Sequence, residues 1–156
     1  IADPPWAYGN YTEAVHGAAA SAMTVMSDQD IGAIPVAEWA APDCLLLCWA
    51  TWPKLADGAA HSVLLSWGFR PKTIIPWIKT RPSTGDIARG VGFWSMGCSE
   101  ALVIATRGKV SPKLGRGHLG LMEGESRQFW APRGAKHSKK PPEIHAWAEN
   151  WPGPYL

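Results

Sequence analysis

Ile1-Ala2-Asp3-Pro4-Pro5-Trp6 sets the reading of the whole chain. An apolar pair leads into an aspartate, two prolines and a tryptophan. Proline cannot continue a sheet ladder, and Pro5 biases Pro4 towards an extended backbone. The stretch therefore predicts a strand end that stiffens as it leaves a sheet. There it would hold a carboxylate, an unpaired carbonyl and an indole face in fixed relation. In open α/β sheets, ligands sit beyond the carboxyl ends of strands. The same residues also suit an ordinary strand-ending turn with a buried Trp.

The chemistry open to such a stretch is specific. An exocyclic amino group on a purine is a poor nucleophile, because its lone pair is delocalised into the ring. A carboxylate and a carbonyl that each accept one N–H draw that nitrogen towards tetrahedral geometry and free the lone pair. The carboxylate can then receive a proton. An aromatic face beside them can stack a base taken out of its helix. Asp3, the Pro4 carbonyl and Trp6 supply these parts in order.

With 156 residues and 46% hydrophobic content, the chain is long and apolar enough for one domain with a real core, and disorder is excluded. Most of the ten tryptophans are expected in the core, and a surplus of flat aromatic faces suits base stacking. A net charge of +2 does not by itself establish a nucleic-acid partner. No apolar run reaches the roughly 18 residues of a membrane span. Cys44, Cys48 and Cys98 form no CxxC pair, and the five histidines show no metal spacing, so no disulfide framework and no metal site is expected. A reduced, intracellular, cytoplasmic protein is the expectation. The missing initial Met, the strand end at the start and Pro154-Tyr155-Leu156, which reads as a strand start, predict a segment cut from a longer chain at both ends.

Along the chain, residues 7–25 read as a long irregular stretch with Tyr8 and Tyr11 available to a substrate. Ser27 and Asp30 form a capping pair for a helix from about Asp28 to Ile34, stopped at Pro35, with another through Glu38 to Ala40. Cys44 to Ala50 has the length and continuous apolarity of a buried strand in a parallel sheet. Thr51, Pro53 and the apolar spacing through Trp67 predict one helix closed by Gly68. Lys72 to Lys79 reads as a strand with a bulge or an edge at Pro76. Arg81 to Gly92 and Lys109 to Gly120 read as basic, Gly-rich loops, the first of them flexible. Strands follow at Ala101 to Thr106 and Arg127 to Ala131. The basic stretch from Arg133 then leads into a helix from about Pro141 to Trp151, with Ser138 as cap, Glu143 closing a capping box, and Ile144, Trp147 and Ala148 on one face.

Several of these stretches together carry a resemblance. Asp3-Pro4-Pro5-Trp6, Met26-Ser27, Trp67-Gly68-Phe69, Trp77-Ile78-Lys79-Thr80, Gly90-Val91-Gly92-Phe93-Trp94 with Glu100, Arg107-Gly108 and His137-Ser138-Lys139-Lys140-Pro141 stand in order. This set resembles the MT-A(70)-like family of N(6)-adenine methyltransferases, which use S-adenosylmethionine (SAM). The resemblance implies a three-layer, Rossmann-like α/β sandwich around a mainly parallel sheet with one antiparallel strand, and the permuted order in which the catalytic motif precedes the cofactor motif. One methyltransferase domain would span residues 1–156. The resemblance places Trp77, Lys79 and Glu100 in the adenine pocket, with Tyr8 on the substrate loop; taken alone, Trp77 also suits core packing, Glu100 an exposed strand-edge charge and Tyr8 an exposed loop. It gives Lys140, with His137, Ser138 and Asp3, to the cofactor. The chain departs from the family pattern at Met23, where a tyrosine is common, and at Met96, where Arg or Asn is common.

The expected reaction is in-line methyl transfer from SAM to the 6-amino group of adenine, stacked by Trp6 with Trp77 opposite. Asp3 and the Pro4 carbonyl would accept the amino hydrogens. Nucleic acid is the expected partner, DNA favoured and RNA open, with no membrane and with room for a dimer or partner subunit. Two rivals stand beside this reading: a silent nucleic-acid-binding subunit of a methyltransferase complex, and methylation of another amino group such as that of cytosine. Asp3 and Trp6 favour adenine over the latter.

Overall fold

In the computed structural model, residues 1–7, 25–90, 95–110, 128–134 and 139–149 are described. Helix α1 spans Asp28–Ala33. Its cap forms as the sequence predicts: Ser27 Oγ accepts the Asp30 amide at 3.1 Å and donates to Asp30 Oδ2 at 2.6 Å. Ile34 is already extended, as a residue before proline prefers. Helix α2, Val36–Trp39, follows Pro35, and strand β1 spans Cys44–Ala50.

The single helix expected after Thr51 is two helices, α3 (Trp52–Ala56) and α4 (Ala59–Ser66). Asp57-Gly58 divides them. Gly58 sits at φ +80°, and Asp57 Oδ1 takes the Ala59 amide at 2.9 Å. This local turn chemistry overrides the apolar spacing that runs across it. Lys54, buried on α3, pairs with both oxygens of Asp28 at 2.7 Å and ties α3 to the start of α1. Helix α4 ends as predicted at Gly68, φ +80°: the Gly68 amide bonds Leu65 O and the Phe69 amide bonds Leu64 O, each at 2.9 Å.

Strands β2 (Arg70–Thr80), β3 (Ser99–Arg107) and β4 (Phe129–Pro132) complete the sheet in the order β1-β3-β2-β4. The expected mainly parallel sheet is not what the ladders show. β3 is antiparallel to both β1 and β2, and only β2 and β4 pair in parallel. The connection after β2 brings β3 straight back beside it, and β3 then lies in the middle of the sheet. β1, β2 and β4 therefore run one way and β3 runs against them. The bulge in β2 falls at Pro71/Thr73 and not at Pro76; β4 begins opposite Trp77, so Pro76 still lies on an edge. Residues 81–90 carry a hairpin within the expected loop. Ala88 N–H bonds Lys79 O at 2.7 Å and Arg81 N–H bonds Asp86 O at 2.8 Å, which extends β2 as a hairpin.

Side-chain alternation along the strands sends residues to two faces. On one, Leu46, Cys48, Val103 and Ala105 pack against Ile31 of α1 and Val63 and Leu64 of α4. On the other, Leu47, Trp49, Ile75, Trp77 and Leu102 pack against Ile144 and Trp147 of helix α5, Glu143–Ala148. Helices on both faces explain why β1 is apolar throughout. α5 has Pro142 as its cap residue and Glu143 as its first residue, so the expected capping box does not form there. The proposed Ser138 cap and the last residues of the expected helix lie outside the described residues, as does most of the basic loop after Lys109.

Gly68→Ala forces a side chain into a left-handed backbone. It should lower stability by about 1–2 kcal/mol, read from the urea midpoint.

Candidate active site

The site begins at the edge of β1. Ala2 pairs in parallel beside Cys48: Ala2 N–H bonds Leu47 O at 2.8 Å, and Trp49 N–H bonds Ala2 O at 2.9 Å. Asp3 is the next residue, where the pairing stops, at the carboxyl end of the short strand. Pro5 O then accepts the Met26 amide at 2.9 Å, and Ala7 N–H bonds Met26 O at 3.1 Å. The Asp-Pro-Pro-Trp segment is thus held before and after its acid, by β1 and by the lead-in to α1.

Two expectations change here. The Pro4 carbonyl is not unpaired, since it accepts the Trp6 amide at 2.9 Å in a tight turn. One of its two lone pairs is used, and Pro4 itself is buried. Trp6 is not a stacking face: it is 6% exposed, packed in the α1/α4 core, with Nε1 donating to Trp49 O at 3.1 Å. Its indole anchors the turn.

The other predicted side chains arrive from distant parts of the chain. β2 and β3 set Trp77 opposite Glu100, and Lys79 follows on the same face of the sheet. The reversed direction of β3 matters, because it brings Glu100, second in this strand, to the side where β1 and β2 end. Lys79 Nζ pairs with Glu100 Oε1. Lys140, just before α5, lies 3.3 Å from Glu100 Oε2 and 3.0 Å from Asp3 Oδ1. The result is a chain of alternating charge: Asp3, Lys140, Glu100, Lys79.

Beneath the charges lie two tryptophans. The rings of Trp49 and Trp77 meet edge to face, with centroids 5.6 Å apart and planes at 68°. Lys79 Nζ is 5.2 Å from the Trp77 ring centroid, and Lys140 Nζ is 5.7 Å from that of Trp49. Trp77 is 2% exposed and donates Nε1–H to Ala131 O at 3.0 Å, so its expected role as a stacking face is also replaced by one in the floor. Trp49 was not among the predicted site residues; its apolar strand context reads as core. The available signal is its place near the end of a strand that neighbours Asp-Pro-Pro-Trp.

Burial raises the Asp3 carboxyl above its ordinary 3.8; Lys140 opposes this by charge and hydrogen bond, while Glu100 adds to it. A raised carboxyl pKa means that the fold prefers the protonated acid. The stability Asp3 contributes is therefore complete below 3.8 and is lost as pH rises through its folded value. Burial, and then the Asp3 charge, push the Cys48 thiol up to about 12, so it is no nucleophile. Among the described residues no cluster of His, Cys, Asp or Glu is built to hold a metal.

Beside Lys140 opens a cleft of about 420 Å³, lined by Arg133, Lys139, Lys140 and Glu143 among others. That is enough room for part of a small-molecule cofactor. Its three basic side chains, set among prolines, fit a carboxylate, and Asp3 beside Lys140 fits a cationic group. Tyr8, Tyr11, Met23, His137 and Ser138 lie outside the described residues. Met96 is 65% exposed.

The arrangement is that of a mixed α/β domain with an acid displayed at a strand end beside a basic cleft. The family model described as MT-A70 matches residues 1–151. The chain belongs to the MT-A70 family, which makes it a SAM-dependent methyltransferase by family, of a kind that generally acts on adenine N6 in nucleic acid. No curated protein sequence matches it.

Among the described residues Lys140 is the one charge that favours ionised Asp3. Lys140→Met should raise the Asp3 pKa further, seen in a carboxyl-carbon NMR titration; an unchanged titration would show that the pair does not form in solution.

Proposed function

We propose that this chain transfers a methyl group from SAM to the 6-amino group of adenine in nucleic acid, with DNA favoured over RNA. The observation that carries the reading is the Asp3 carboxylate, displayed at a strand end with Lys140 at 3.0 Å and the Pro4 carbonyl next to it in sequence, in a chain of the MT-A70 family.

Bound SAM supplies an electrophilic methyl group on a sulfonium. The protein's part is to aim a weak nucleophile at it. Asp3 accepts one amino hydrogen, and the second lone pair of Pro4 O accepts the other. These two acceptors fix the nitrogen and make its lone pair available, and Asp3 receives the proton that the alkylated nitrogen releases. Glu100 as acceptor and Lys79 as donor meet the ring edge of the base. Lys140, with Arg133 and Lys139 at the cleft, takes the carboxylate of the cofactor's methionine end; His137 and Ser138 belong to the same motif. Orientation of this kind is worth roughly 7–11 kcal/mol of barrier in favourable cases.

The three-layer, Rossmann-like sandwich with its catalytic motif before the cofactor motif is part of this proposal. Helices on both faces, and the common direction of β1, β2 and β4, support it. Free thiols at Cys44, Cys48 and Cys98 support a cytoplasmic setting.

Burial of both Trp6 and Trp77 favours a second reading. Without a stacking face from either, the domain would be a silent nucleic-acid-binding subunit that supports an active partner.

Labelled methyl transfer to DNA and RNA oligomers, with the full-length protein and its Asp3→Ala variant, separates the two. Adenine-dependent labelling should fall at least about a hundredfold in the variant. Binding of oligomers without transfer by the unaltered protein would move the silent-subunit reading ahead.

A further inference from the structure

The chemistry above gives Trp49 no role, yet the held parts of the site converge on it. Its amide donates to Ala2 O at 2.9 Å, one residue before Asp3, and its carbonyl receives the Trp6 indole N–H at 3.1 Å, three residues after. Its ring braces Trp77 edge to face, and its face lies 5.7 Å from the Lys140 ammonium. The backbone of one residue thus fixes the acid, while its side chain lies under the base that pairs with that acid.

We propose that Trp49 is a positioning residue: its indole face holds the Lys140 ammonium where it meets Asp3 and Glu100 together. The inference rests on the functional reading above for its link to the reaction. A lysine has a flexible four-carbon stem and a compact charge, so two carboxylates alone do not fix where it sits between them. An aromatic face adds a third direction of attraction, which is strongest where water is excluded. The Lys140 side chain is only 13% exposed, so the attraction is little screened. Tryptophan offers the largest such face, and Trp49 is itself locked at 2% exposure.

The groups that act on Asp3 come from two elements, Lys140 from the segment before α5 and Glu100 from β3, with Lys79 of β2 behind Glu100; the Cys48 thiol of β1 feels the Asp3 charge in turn. Of these, Lys140 alone favours the ionised acid. The position of Lys140 is therefore reported by the titration of Asp3, independently of any catalysis.

The test compares Trp49→Leu and Trp49→Phe with Lys140→Met in the full-length protein. Trp49→Leu should move the Asp3 titration up, towards that of Lys140→Met, and should lower kcat/KM about tenfold, in line with a buried cation–π contact. The acid limb of the pH profile should move up with it. Trp49→Phe should restore most of both. Added to Lys140→Met, the leucine should change the Asp3 titration no further. An Asp3 titration unchanged in a folded Trp49→Leu protein overturns the proposal, as does a leucine effect that persists in full without Lys140. Should the leucine unfold the chain, fluorinated tryptophans placed at position 49 keep the shape and weaken the ring's negative face. Asp3 should then rise with fluorine count, and a flat series overturns the proposal. If the unaltered protein transfers no methyl, the functional reading fails, and the titrations still decide whether Trp49 places Lys140.

Discussion

The site depends on a short parallel pairing at one edge of the sheet, where Ala2 exchanges hydrogen bonds with Leu47 and Trp49. The two prolines that follow prevent the pairing from continuing. Asp3 therefore falls where the chain must leave the sheet, and its carboxylate is set by the register of β1. Trp6 closes the turn from the other end through the carbonyl of the same Trp49. Every later contact at the acid presumes this placement.

Around the acid, charge alternates from Asp3 through Lys140 and Glu100 to Lys79. Each ion is partly withdrawn from water, and each has an opposite neighbour, which is the condition under which buried charge is tolerated. Glu100 has the central part, with one oxygen on each lysine. It can do so because β3 runs against its neighbours and begins where they end. A fully parallel sheet would have carried Glu100 to the opposite end of the strands.

Local chemistry and the apolar core of β1 and α5 were readable from the sequence; strand direction and the part played by the site tryptophans were not. Ser27, Gly68 and the Asp-Pro-Pro-Trp segment act on backbone within a few residues of themselves, so each announces a cap or a chain exit. The break at Asp57-Gly58 was hidden because apolar spacing continues on both sides of it. Strand direction is decided by where the connection after β2 returns, which no pattern within β2 or β3 encodes. Lys79, Glu100 and Lys140 were placed at one site by family resemblance, since residues so far apart in sequence have no spacing to read. The roles of Trp6 and Trp77 changed because a platform and an anchor both call for an aromatic ring, and only burial tells them apart.

The pairing at Ala2 has a mechanical side. Trp49 is bonded on both sides of the acid, through its amide to Ala2 O and through its carbonyl to the Trp6 indole. Two attachments that straddle a residue pass a displacement of one partner on to the other. A shift of β1 along its own axis therefore carries Asp3 with it, and the acid and the strand move as one body.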